Sequence, residues 1–157
     1  MEARRQSIDL LNWLLSRGIS YELIRHTKGK TTAEASRALG VDKSKILKSL
    51  LLKDSSEEFI GVVITGDRKV SFKKLKRITG SDFKLASCQE VLRETGYKVG
   101  GVPAFTFSIC HITGYVDFRV MQHKFVYGSA GSETLGLKFS PSLLKSIGYR
   151  IVDITKK

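Results

Sequence analysis

Two features of this 157-residue chain carry chemistry. Lys48 interrupts the apolar run Ile46-Leu47-Lys48-Ser49-Leu50-Leu51-Leu52. An ammonium among apolar residues is costly unless paired. Lys48 therefore reaches solvent along its stem, holds a phosphate, or acts on a bound substrate. The second feature is Gly96-Tyr97-Lys98-Val99-Gly100-Gly101-Val102-Pro103, which sets adjacent glycines and a proline between two expected regular elements. Glycine admits positive φ and close approach of a ligand to the main chain, and proline stiffens the exit. Consecutive N–H groups in such a loop can converge on a carbonyl oxygen or an oxyanion. The same loop would also serve as a tight connection with no ligand.

Residues for other chemistries are few and scattered. Cys88 and Cys110 form no CxxC pair and read as reduced, structural thiols, one of them in a strand. His26, His111 and His123 lie in separate segments, so neither a metal site nor a cofactor is expected. No Ser/His/Asp or Cys/His signature is present. The charge balance says more: 27 Lys and Arg against 15 Asp and Glu give a net charge of +12. Such a surplus suits a polyanion such as RNA or DNA, though a solvated basic surface would look the same. The cations gather at 28–30, 43–53, 68–77 and 156–157. With no apolar run of membrane-spanning length and no signal-peptide pattern, the expected setting is the cytoplasm, with no membrane partner.

These residues need elements to position them. Ile8, Leu10, Leu11, Leu14 and Leu15 recur at helical spacing, and Gly18 closes that helix. A strand is expected at 19–25. Thr31-Thr32-Ala33-Glu34 has capping-box spacing and opens a helix that ends at Gly40. Strands at 46–52 and 59–65, joined by a short polar loop, imply an antiparallel pair. Helices follow at 71–78 and from Ser87 to Gly96. The alternation in Phe105-Thr106-Phe107-Ser108-Ile109-Cys110-His111-Ile112 predicts a strand. Further strands are expected at 115–120, 125–127 and 149–154. Asp117 would face solvent, 128–132 would be a Ser/Gly-rich loop, and Pro141 would open a short helix. The expected whole is one α+β domain over residues 1–157, built on a curved, barrel-like mixed sheet with short helices. Residues 1–20 supply an N-terminal helix.

The ordered set Thr32-Ala33-Glu34-Ala35, Lys45-Ile46-Leu47-Lys48-Ser49-Leu50, Gly66-Asp67-Arg68, Lys74-Leu75, the glycine loop and Val126-Tyr127-Gly128-Ser129-Ala130-Gly131-Ser132 resembles the YbaK-type aminoacyl-tRNA editing domain. That domain also occurs inserted in bacterial prolyl-tRNA synthetases, and the resemblance spans residues 21–154. It implies hydrolysis of the ester joining a mischarged small amino acid (alanine, cysteine or serine) to tRNA. It implies Lys48 as the required cation and Gly100 and Gly101 as the grip on the aminoacyl carbonyl. His26, Thr32, Val102, Pro103, Ser129 and Gly131 would contact the substrate, and water with a ribose hydroxyl would replace a protein nucleophile. The implied partners are tRNA and an aminoacyl-tRNA synthetase. Two departures stand out: Ala104 and Thr106 occupy places where relatives carry proline and glycine, and Leu135-Gly136-Leu137 lacks an aspartate found in some. A module that binds tRNA or another nucleic acid without hydrolysing it is the alternative.

Overall fold

The computed structural model describes residues 5–26 and 31–157; the cations Lys28 and Lys30 fall outside them. Helix α1 (Ser7–Ser16) buries Leu10 and Leu14 but leaves Ile8 and Leu15 largely exposed. After β1 (Glu22–Arg25), helix α2 (Thr32–Leu39) starts where Thr31 Oγ1 accepts from Glu34 N, and ends at Gly40 with φ +68°. A 3-10 turn (Lys43–Lys45) leads into β2 (Leu47–Asp54) and β3 (Phe59–Thr65), the expected antiparallel pair. There follow β4 (Lys69–Val70), α3 (Phe72–Thr79), β5 (Phe83–Leu85) and α4 (Cys88–Thr95), whose capping box joins Ser87 and Glu90. The rest comprises α5 (Thr106–Ile109), β6 (Thr113–Asp117), a 3-10 turn (Phe118–Gln122), β7 (Val126–Ser132), β8 (Leu135–Phe139), α6 (Ser142–Ser146), β9 (Arg150–Val152) and β10 (Thr155–Lys156).

The strands form three sheets: β5-β2-β3-β6-β9, β1-β8-β7 and β10-β4. In the largest, β3 is antiparallel to β2 and parallel to β6, so the expected α+β class with a mixed sheet is present. No sheet closes into a barrel. The five-stranded sheet keeps β5 and β9 as its edges, and β8 pairs with β1 and β7 in a separate sheet. Alternate residues of β2 and β3 feed two cores. Leu47, Leu51 and Val63 face α1 and the aromatic cluster, whereas Leu52, Ile60, Val62 and Ile64 face Leu75 and Ile154. Strand β3 is buried on both faces, as a central strand with a near-continuous apolar run should be.

Four local expectations fail for identifiable reasons. Residues 105–112 form helix α5 rather than a strand. Phe105, Thr106 and Phe107 are all buried, so the alternation has no solvent side, and Thr106 N and Cys110 N close helical turns onto Pro103 and Thr106. Cys110 therefore ends a helix, and Cys88 is exposed at the start of α4. Residues 128–132 are strand, not loop, because they pair with β8 across a register shift between Ser129 and Ser132. Asp117 is fully buried. It accepts from Ile154 N at 3.0 Å and from Arg119 N at 3.1 Å, so it pins the C-terminal segment instead of facing water. Residues 149–154 split between β9 and an apolar plug, Ile154, ahead of β10.

Candidate functional site

Strand β5 pairs only with Leu52–Asp54, so the outer edge of the first half of β2 is left uncovered by it. Leu51 O accepts from Ala86 N, on the side away from β3. Since main-chain groups alternate along a strand, Ser49 also turns its N–H and C=O to that edge. Facing the edge is β7, tethered by one parallel bridge between Ile46 and Tyr127. Helix α2 and the glycine loop close the remaining sides. Between them lies a cavity of about 500 Å³.

Lys48 lines this cavity and is half-buried. Its strand position shares a face with Leu50, which lines the cavity too. Among the described residues no Asp or Glu lines the space, and no carboxylate lies within ion-pair distance of Lys48. The result is a cation held at an open cavity without an internal counter-ion, which suits an anionic or polarisable oxygen on a ligand.

The two glycines of the loop part company. Gly101 N–H donates to Lys98 O at 2.9 Å, and Gly101 O accepts from Ser129 Oγ at 3.1 Å, so both its polar groups are engaged. Gly100, with φ +85°, lines the cavity, as does Val102. Their N–H groups have no hydrogen-bond acceptor among the described residues. The loop is fixed from both sides. Ser129 bonds it to β7, while Tyr149 OH donates to Ala104 O at 2.6 Å and accepts from Ser108 N. Burial pushes the Tyr149 phenol above its ordinary range and keeps it a donor. Pro103 is buried behind the loop, outside the cavity lining, and its carbonyl starts α5.

The remaining predicted positions divide in the same way. His26 lines the cavity at the end of β1; its N donates to Thr134 O, and its ring lies where a Cβ on Gly136 would be 3.5 Å away. Thr32 lines it from the first turn of α2, which approaches so closely that a Cβ on Gly66 would overlap the Thr32 methyl. Ser129 lines it as well. Gly131 does not: with φ +99° it packs against Tyr97 and Ser7, where a Cβ would lie 3.0 Å from the Tyr97 ring. Sequence reasoning missed Tyr127 and Ser49 as lining residues. Their signal was the spacing of Ile46 from Lys48, which sets an edge, and that edge becomes visible only once β7 is seen beside it. Among the described residues no group of three His, Cys, Asp or Glu is placed to hold a metal, and no helix is long and apolar enough to cross a membrane.

The free edge of an open mixed sheet, a capped helix and a glycine turn enclose a cavity lined by two lysines, Lys43 and Lys48, and by no carboxylate among the described residues. The family model for the aminoacyl-tRNA editing domain matches residues 26–146, which include every wall of this cavity. YwhH of Bacillus subtilis is 30% identical over 129 residues, covering 82% of this chain and 81% of its own. The proline–tRNA ligase of Caldicellulosiruptor bescii is 36% identical over 102 residues, 64% of this chain but 17% of the ligase. A crystal structure described as a candidate trans-editing enzyme for prolyl-tRNA synthetase superposes with a TM-score of 0.84 at 21% identity, over 96% of this chain and 97% of that one. This chain belongs to the aminoacyl-tRNA editing domain family.

Proposed function

We propose that the chain is a trans-editing deacylase that hydrolyses the ester of a mischarged tRNA carrying a small amino acid of the alanine, cysteine or serine type. The observation that carries this reading is that Lys48, without a carboxylate partner, and Gly100 and Val102, whose N–H groups have no acceptor among the described residues, line one cavity. Water adds to the ester carbonyl, and its oxygen forms the new C–O bond. The carbonyl oxygen becomes an oxyanion that the Gly100 and Val102 N–H groups receive. Collapse breaks the ester C–O bond, a proton of the attacking water passes to the departing ribose oxygen, and the free amino acid is released. Lys48 pins the terminal phosphate or polarises the ester. A preorganised contact of this type contributes on the order of 10²-fold in rate.

The other residues have supporting roles in this reading. His26 and Thr32 flank the terminal nucleoside. Ser129 holds Gly101 so that Gly100 faces the substrate, Pro103 backs the turn, and Gly131 shapes the register shift of β7. The chain works as one editing unit over residues 1–157, with 21–154 as its core. The mischarged tRNA is its partner, the synthetase that made the error its supplier, and the cytoplasm its setting. The family assignment, the match to the proline–tRNA ligase and the basic charge support this. Selection would be by size, a second sieve.

The test is hydrolysis of a panel of mischarged tRNAs by the wild-type protein. Cleavage of Ala-, Cys- or Ser-tRNA above the spontaneous rate is the expected result. Salt-sensitive tRNA binding with no cleavage of any member would show a binding module on an editing fold.

A further inference from the structure

Beside the cavity wall, an exposed aromatic immediately precedes β7, the strand that carries Tyr127. Phe125 keeps 42% of its surface in solvent. Two ammonium groups stand over its ring: Lys138 Nζ at 4.8 Å and Lys124 Nζ at 5.7 Å from the centroid. Lys138 is also 5.9 Å from the Tyr127 centroid, and Tyr127 lines the cavity. One lysine thus links an exposed ring to a ring in the cavity wall. The Ile46–Tyr127 bridge sets the Lys43–Lys45 turn next to the same strand, and Lys43 lines the cavity.

A flat apolar ring flanked by cations, leading into a cavity, fits a single-stranded nucleic acid. Every base has a π-face to stack, and each linking phosphate needs a cation. We propose that Phe125, with Lys124 and Lys138, is a stacking platform for the unpaired nucleotide preceding the terminal adenosine of a tRNA 3′ end. Tyr127 carries the strand on into the cavity. The proposal rests on the deacylase reading, because it assumes that the terminal nucleoside occupies the cavity. It adds a subsite outside the reacting atoms, one that reads the strand as single rather than paired.

The test is binding, independent of hydrolysis. A 5′-fluorescein acceptor-stem hairpin ending in an unpaired 3′ CCA is compared with the same hairpin made blunt, by anisotropy at fixed salt. Wild type should prefer the overhang. Phe125→Ala should weaken overhang binding roughly tenfold and leave the blunt hairpin unchanged, the loss expected for one stacked base. Phe125→Tyr should restore the preference, which separates stacking from any effect on folding. Equal weakening of both hairpins, no change in either, or no overhang preference in wild type overturns the platform. A wild type that cleaves no mischarged tRNA would overturn the deacylase reading instead, while the hairpin comparison still decides the platform.

Discussion

Lys74 and Lys48 carry the same charge in opposite circumstances. Lys74 Nζ donates to Asp153 Oδ1 at 2.9 Å and to Thr155 O at 2.8 Å. Around it Arg119 bonds Asp117, Asp153 and Thr155, and Arg68 bonds Thr155, so the cations at this end are consumed in holding β10 to the body. Lys48, by contrast, lines a cavity with no acid among its described lining residues. The contrast separates two uses of a basic composition. At the closed end, cations satisfy buried carboxylates and carbonyls and belong to stability. At the open end Lys48 has no carboxylate within ion-pair distance among the described residues, and in the proposed reading it serves an incoming anion. Net charge reports their sum and cannot tell them apart.

The comparison is most easily broken at Asp117. Replacing this buried carboxylate with alanine strands the Ile154 and Arg119 main-chain N–H groups and leaves the Arg119 guanidinium to Asp153 and Thr155, at a cost of about 3 kcal/mol. Denaturant unfolding should show that loss, while deacylation per folded molecule stays near wild type. A collapse of activity in molecules that remain folded would couple the two ends and dissolve the distinction. Ser129→Ala acts at the open end. It frees Gly101 O, costs ~1 kcal/mol in the same assay, and lowers kcat/KM on the order of tenfold by loosening the Gly100 turn. An unchanged kcat/KM would remove Ser129 from loop positioning.

The smallest effect is on acid stability. The hydrogen bond from Lys74, reinforced by Arg119, holds the Asp153 carboxyl below its ordinary value. Lys53, with the Ser87 backbone, draws Glu90 down to about 2. Both groups are lower in the folded state, so their contribution is present above the unfolded values and fades as pH falls through the folded ones. The melting temperatures of wild type and a Glu90→Gln variant should therefore converge as pH is lowered from about 5 towards 2. A gap that stays constant over that range would contradict the pairing with Lys53.

What could be read in the sequence follows the range of the interactions. The β2–β3 hairpin, the caps at Thr31 and Ser87 and the positive-φ stops at Gly40 and Gly96 are local, and all are present. Lys48 and Gly100 line one cavity, and each lies in a segment whose neighbours dictate its shape. The failures are all tertiary. Asp117 looked solvent-facing because Ile154, whose N–H it accepts, reaches it only when the C-terminus returns. The 105–112 alternation misled because Tyr149, far along the chain, fixes the turn that makes it helical. The open sheet was hidden for the same reason: β8 pairs with β1 and β7, a choice no local pattern encodes. Gly101 and Gly131 fell outside the cavity because a glycine's freedom marks a turn or a close contact without saying which side the ligand occupies.

The central claim is that Lys48 serves the substrate and not the fold. Single-turnover hydrolysis of a mischarged tRNA by Lys48→Met, with thermal melting of the same preparation, tests it most directly. The account predicts a rate lower by on the order of 10²-fold with an unchanged melting temperature. Wild-type hydrolysis by the variant, or a rate loss matched by loss of folded protein, would contradict it.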